Sequence, residues 1–319
     1  MSISKAEESF LRTSILSTPP SRADGRLLNE FRMIAVNREA VFGRVNLGGT
    51  DVIAAVKLEV ENIGPTGDGA EGEGRDGGRV ACAIICAQSA YPHKSPQALD
   101  EASADLTALF TPILASSLTP SSQLTIVPHK RSWLLGIEAI ILADDGNAID
   151  AVMVAIRAAL WDLRIPRTKG VQYVSRPTYS GTYTASADAI KGILTEGKRV
   201  DPADFELEDS YDEGNPLERR DELPVCVTLN LIGSTYFLDA SAREADGVQD
   251  RLSLFYSFSK SASLNGVSHG MHYSGPSELK FGDVGPLIQS GEKHASELSA
   301  ALNSMFRAED VKNAAALRR

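Results

Sequence analysis

The stretch Asp144-Asp145-Gly146-Asn147-Ala148-Ile149-Asp150-Ala151, running on through Val152-Met153-Val154-Ala155-Ile156-Arg157-Ala158-Ala159-Leu160, decides how the chain is read. Before it, Trp133 to Ala143 is strongly apolar and strand-like; Asp145-Gly146 then makes a turn. From Asn147 to about Leu163 the pattern is helical and apolar on nearly every side, so the helix is expected to be buried all round. Asn147 or Asp145 can cap it, and Arg164-Ile165-Pro166-Arg167 stops it. Small residues at 151, 155, 158 and 159 let such a helix lie close against a sheet.

Upstream, Leu124 to Val127 and Val80 to Ala87 read as strands. Between them a helix from about Gln97 to Ser117 carries the stripe Leu99, Ala102, Leu106, Phe110, Ile113 and Leu114, with Pro112 as a local disruption. Phe31 to Val36, Val41 to Leu47 and Val52 to Glu61 form a further strand group. In the last of these, Val52, Ala54, Val56, Leu58 and Val60 share one face. Ser4 and Glu7 have capping-box spacing ahead of a short amphipathic helix that Pro19 and Pro20 end. The polar turn Arg22 to Arg26 reads as a solvated connection, with Gly25 supplying backbone freedom. Downstream, strands are expected at Pro224 to Ile232, Thr235 to Leu238 and Leu252 to Phe258, and a last helix from about Pro276 or Asp283 to Phe306. Residues 307–319 are helix-prone and polar. Strand groups interrupted by long helices make the fold class α+β, in one body of 319 residues.

Two segments stand apart from this pattern. Residues 62–78 are glycine-rich and acidic, four acids against Arg75; they lead into a strand rather than a helix N-terminus, so they do not form a phosphate cradle. Residues 172–222 hold a possible short helix at Ala185 to Leu194 and, over 196–222, eleven acids against four bases. The balances of -3 and -7 account for the whole net charge of -10; the remainder carries 27 acids and 27 bases, which leaves room for a local basic groove.

Several chemistries find no support. Cys82, Cys86 and Cys226 have neither disulfide-framework nor metal spacing and read as buried apolar residues in a reducing compartment. There is no Walker loop. His269 and His272 sit in what reads as a Gly/Ser-rich loop without a third ligand. No metal or cofactor is expected, no run reaches membrane length, and the protein reads as soluble and intracellular.

The set Arg22-x-Asp24-Gly25-Arg26, Glu30-Phe31-Arg32, Asn46-Leu47-Gly48-Gly49-Thr50-Asp51-Val52, Asp145 to Ala151, Ala158-Ala159-Leu160, Pro224 to Val227 and Leu238-Asp239-Ala240 resembles the RNase PH family in order and spacing. Within that family, the residues Ser4, Ala6-Glu7, Thr18-Pro19 and Arg164 to Arg167 are most similar to the eukaryotic exosome ring subunits. The resemblance implies an RNase PH-like fold: two pseudo-symmetric βαβα-type halves, about 22–170 and 223–306, with sheets packed on helices. Residues 62–78 and 172–222 are then insertions and 307–319 a tail. It also implies a six-membered ring with other RNase PH-like exosome ring subunits, RNA passing through a central channel, exosome cap proteins and an associated hydrolytic nuclease as partners, and no membrane contact. The associated role is 3′-to-5′ RNA processing and degradation, including ribosomal RNA maturation, in nucleus, nucleolus and cytoplasm.

Active members use phosphate to cleave RNA 3′ ends, which requires guanidinium groups converging on two anions and acids that protonate the leaving group or bind a metal. By resemblance the phosphate arginine falls on Ile149, and residues 97–118 hold no Lys or Arg. The acidic pair falls on Asp239 and Ala245; Glu244 and Asp246 flank the lost position but on a strand or turn are expected to point elsewhere. The expectation is therefore no catalytic residues and a catalytically inert subunit, with Asp239 a structural residue. The alternative is an active phosphate-dependent exoribonuclease whose site a neighbouring subunit completes. For RNA contact the candidates are Lys94, in a strand-to-helix loop, and Lys130 with Arg131.

Overall fold

The computed structural model describes residues 3–63, 78–118, 121–171, 204–208, 214–259 and 266–316. Its centre is the helix read first, α3 (Ala148–Asp162), in which every residue from Asp150 to Trp161 is buried. One side of it meets a first sheet of β1 (Ile34–Glu39), β2 (Phe42–Leu47), β3 (Thr50–Asn62), β6 (Arg131–Ala143) and β4 (Arg79–Cys86), in that order, with β5 (Thr125–Val127) pairing β6. All neighbours are antiparallel except β4 and β6, which run parallel. Alternation along β3 turns Val52, Ala54 and Val56 into the core.

Helix and sheet meet closely because the facing residues are small. A Cβ on Gly43 of β2 would lie 2.6 Å from the Ala155 carbonyl oxygen and 2.8 Å from the Ala158 Cβ. Gly146, with φ 91°, is held equally tightly: a Cβ there would lie 2.3 Å from the Ala240 carbonyl oxygen. Asn147 occupies the N-cap position in the left-handed region, φ 58°, and makes no capping bond with its side chain.

The other side of α3 meets a second, wholly antiparallel sheet in the order β12 (Thr235–Leu238), β11 (Val225–Ile232), β13 (Arg251–Ser257) and β14 (Val267–Ser274). All eight residues of β11 are buried, because α3 covers one face and the last helix, α5 (Phe281–Ala316), covers the other. The long helix α2 (Pro96–Leu118) lies along β4 and touches β14. It also closes the sheet edge: the Ile84 and Cys86 amides donate to Thr107 Oγ1 (2.9 Å) and Ser103 Oγ (3.0 Å). The amino-terminal helix α1 (Lys5–Leu16) is capped by Ser4, whose Oγ accepts from the Glu7 amide, and packs on the short helix α4 (Ala242–Gly247).

Several elements differ from their reading in the sequence. His269 and His272 lie on β14, not in a loop; His269 bridges Ser116 Oγ and Ser257 Oγ at 2.9 and 2.8 Å. The region about Ala245 is helical rather than a strand or turn: Glu244 is turned away from the cleft onto Arg22, as expected, whereas Asp246 lines the cleft. Residues 22–31, grouped with the first half, pack against the second: the Leu238 amide donates to the Leu28 carbonyl. The segment 172–222 is not wholly a solvated insertion. Asp204–Leu207 pairs with Thr168–Val171, Asn215–Pro216 pairs with Arg164–Ile165, and Leu217 is buried in the core. The tail does not begin at 307, since α5 continues to Ala316. There Glu309 and Asp310 bind Arg38 at 2.8 and 2.9 Å, and the Trp161 indole donates to Asp310. The suggested helix at 185–194 and residues 64–77 lie outside the described residues. Among those described, no helix is long and apolar enough to cross a membrane.

Candidate functional site

At the N-terminus of α3 a cleft of about 630 Å³ opens between the turn Gly146 to Ile149, the cleft-facing side of α2 (Ala102, Asp105, Leu106), the loop Tyr91 to Lys94, and the segment from Ala240 to Asp246. Thr228 and Asn230 of β11 and Arg251 of β13 complete its wall. Ile149 is half-buried there and packs against the core. The charged residue that α2 contributes to the same cleft is acidic, Asp105, and no base occurs on that helix.

Charge in the cleft does not converge. Lys94 holds its ammonium 4.4 Å above the Tyr91 ring, and Tyr91 donates from its hydroxyl to Asp144 Oδ2 at 2.7 Å. Burial, with the Asp144 carboxylate beside it, pushes the Tyr91 hydroxyl well above its ordinary pKa. Asp144 Oδ1 accepts from the Gly146 amide, fixing the turn. Arg251 directs one nitrogen to the Ala245 carbonyl at 2.7 Å. Three carboxylates, Asp105, Asp144 and Asp246, thus face two cations that are not aimed at a common point. A dianionic ligand would meet net repulsion here. Among the described residues, no group of three or more His, Cys, Asp or Glu is placed to hold a metal ion.

Behind the same turn lies the opposite arrangement. Arg22, 3% exposed, makes two bonds to Glu244, at 2.9 and 2.6 Å, and donates to the Leu238 and Asp239 carbonyls. Arg32 donates from Nε and Nη2 to the two oxygens of Asp239 at 2.9 and 2.8 Å, and from its other bonds to the carbonyls of Asp145 and Gly146. Arg26 adds a bond to Asp239 at 3.0 Å. Asp239, fully buried with φ 47°, therefore serves as a structural acceptor that locks residues 22–32, the α3 turn and the second sheet together. The turn at Arg22 to Arg26 is more than the solvated connection its composition suggests: Ala23 to Gly25 are exposed, but the Arg22 side chain is buried and Arg26 largely so. The sequence signal was the recurrence of three arginines within eleven residues; their partners lie more than two hundred positions away.

The three basic candidates are not brought together. Lys94 is at the cleft mouth, beyond the end of β4, whereas Arg131 begins β6, whose 13 residues end beside the cleft at Ala143. At about 3.3 Å per residue, that separates them by roughly 40 Å. Arg131 is paired with Asp204 and stacks over Phe205, and Lys130 is in the preceding turn.

Residues 41–166 match the family model described as 3′ exoribonuclease family, domain 1. A Dictyostelium discoideum protein named for the exosome complex exonuclease RRP42 is 25% identical over 298 residues, covering 79% of this chain and 83% of that protein. The exosome complex component Rrp42 of Methanothermobacter thermautotrophicus is 30% identical over 151 residues, 46% of this chain and 53% of its own. Among solved structures, a chain of the Archaeoglobus fulgidus exosome with RNA bound to the active site superposes with a TM-score of 0.65 at 21% identity, over 93% of this chain and 97% of that one.

Proposed function

We propose, from the premise that this chain carries an RNase PH domain on an RNase PH-like fold, that it is an Rrp42-like ring subunit of an exosome and is itself catalytically inert. One observation carries the reading. The cleft wall at the start of α3 presents Ile149, the position where by the family resemblance phosphorolysis needs a guanidinium, and among charged residues the facing helix α2 offers only acids. An aliphatic side chain cannot hold phosphate, and Asp239, the acid nearest the site by sequence pattern, is saturated by Arg26, Arg32 and Asn147.

In this role the chain is a wall of a ring built with related subunits, guiding RNA that an associated hydrolytic nuclease degrades, with cap proteins on the ring. Ribosomal RNA maturation in nucleus, nucleolus and cytoplasm is the corresponding cellular task. Lys94 is the RNA contact at the cleft mouth, and Lys130 and Arg131 form a separate basic position at the opposite end of β6.

The decisive assay measures phosphate-dependent release of nucleoside diphosphates from RNA 3′ ends by the purified chain and by its assembled ring. No release from the chain and none from the ring that depends on this subunit's cleft is expected. Robust turnover that disappears when residues of this cleft are replaced overturns the reading. Affinity purification with subunit identification tests the assembly, which requires co-isolation of related ring proteins.

A further inference from the structure

Beneath the cleft floor, Asp150 is buried in the first turn of α3, 2% exposed, and every group bonded to it is neutral. Thr228 donates to it twice, from its amide to Oδ2 (3.1 Å) and from its hydroxyl to Oδ1 (2.8 Å). Asn147 donates from Nδ2 to Oδ2 at 3.0 Å, and the same nitrogen lies 3.2 Å from Asp239 Oδ1. The Thr228 hydroxyl continues to Ser253 Oγ at 2.9 Å, a contact in which either oxygen can be the donor.

The surrounding groups offer the carboxylate no counter-charge. On β11 the titratable neighbour is the buried Cys226 thiol, which bonds to Asp150 and whose own pKa is raised by burial. Beyond Asn147 stands Asp239, a like charge already held by Arg32 and Arg26. Further along α3, Arg157 is directed to backbone carbonyls at 221, 223 and 224, and Arg251 of β13 to the Ala245 carbonyl. The core positions of β2 and β3 on the first-sheet side are Val45, Val52 and Ala54. Burial accordingly lifts the Asp150 carboxyl to about 6, against the lowering effect of its bonds from Thr228, Cys226 and Asn147.

We propose that Asp150 is a proton-operated latch under the cleft: proton uptake reverses the hydroxyl chain Thr228–Ser253 and loosens the hold on Asn147, a residue of the cleft wall. In the ionised state Ser253 donates to Thr228, and Thr228 donates to Asp150 Oδ1. In the protonated state the new Oδ1–H donates to Thr228 Oγ1, and the Thr228 hydroxyl turns to donate to Ser253 Oγ. The chain keeps two hydrogen bonds in each state, because two hydroxyls can each serve as donor and acceptor; the added proton is balanced at its far end, where the Ser253 hydroxyl proton is released from Thr228. Asn147, however, then faces a neutral oxygen on one side and the charged Asp239 on the other. Bonds to an ionised acceptor are about twice as strong as neutral ones. Protonation therefore transfers Asn147 toward Asp239 and moves the edge of the cleft. This inference does not depend on whether the cleft is catalytic.

The test is a pH titration of the full chain by NMR, following the ¹³C carboxyl of Asp150 and the side-chain amide of Asn147. Both signals are expected to move together with a midpoint near pH 6, and Asp150→Asn should abolish the Asn147 response between pH 5 and 7. Ser253→Ala removes one neutral bond from each state and should leave the midpoint near that of the parent. Thr228→Val removes a bond to a charged carboxylate from the ionised state and only a neutral one from the protonated state, so the midpoint should rise. An Asp150 carboxyl titrating near 4 in the parent chain, or a midpoint not raised by Thr228→Val, overturns the latch. The parent titration stands even if Asp150→Asn does not fold.

Discussion

The two sides of the Asp145-Gly146 turn form a contrast in what arginine does. Behind it, Arg22, Arg26 and Arg32 meet the buried acids Asp239 and Glu244 in paired, largely desolvated contacts, with the exposed acids Asp24 and Asp145 at the rim. In front of it, the cleft contains Ile149, the acids Asp105, Asp144 and Asp246, and two cations directed elsewhere. Guanidinium groups are retained where they join the two sheets and are absent where they would converge on an open volume. A clamp of this kind survives without chemistry because each member leaves a buried partner stranded if it is lost, whereas an arginine in an open cleft can be replaced at little structural cost.

The largest effect expected from this contrast is at Arg22. Arg22→Ala leaves the Glu244 carboxylate buried at 1% exposure without its two bonds and should lower unfolding free energy by about 3–5 kcal/mol. Urea denaturation of the variant beside the double replacement Arg22→Met with Glu244→Leu separates pair loss from charge burial. The double variant should recover most of the loss, and a double variant no better than Arg22→Ala would remove stranded charge as the cause. Arg32→Ala comes next. Asp239 keeps Arg26 and Asn147 as partners, so the cost should be smaller, about 2–3 kcal/mol for charge-assisted bonds. A loss at Arg32 greater than at Arg22 would place the centre of the clamp at Asp239 rather than Glu244.

The cleft side should respond differently to a change of similar size. Ile149→Arg introduces a guanidinium at a half-buried position open to the cleft, and the long side chain can lie along the apolar wall with its head in water. Stability should change by no more than about 1 kcal/mol. Phosphate affinity should rise, but phosphate-dependent release of nucleoside diphosphates should remain absent, because α2 supplies no second base and carries Asp105 instead. Turnover created by this single replacement would show that Ile149 alone accounts for the proposed inertness.

The contrast also marks what could be read from residues in a line. The buried helix α3 was legible because its apolar positions fill all faces and Gly146 precedes it; the facing alternation in β3 was legible for the same local reason. The vacant position at Ile149 was legible only through the resemblance of the surrounding motif. The clamp was not, because Arg22 and Glu244 are 222 residues apart and burial of the pair is a property of the assembled sheets. Strand β14 was missed because Ser268-His269-Gly270-Met271-His272 lacks alternation: as an edge strand with both faces partly exposed it has no apolar side to signal. Residues 307–316 read as helix-prone, but their docking as the last turns of α5 was not legible because the anchors are polar, Glu309 and Asp310 on Arg38, so no apolar stripe continues there.

The smallest effect belongs to Lys94, and it tests whether the cleft retains any electrostatic use. Its ammonium stacks on Tyr91 at the cleft mouth, so removal should leave unfolding free energy within about 0.5 kcal/mol. If Lys94 meets an RNA phosphate, Lys94→Ala in the assembled ring should weaken RNA binding similarly for all sequences and reduce the slope of log affinity against log salt by about 1. Arg131→Ala provides the internal comparison. It breaks the pair with Asp204 and the contact over Phe205, so its effect should appear in stability, about 1 kcal/mol, in addition to any change in the salt slope. Equal salt slopes for parent and Lys94→Ala would mean that the cation at the cleft mouth serves Tyr91 alone, and would remove the proposed RNA contact.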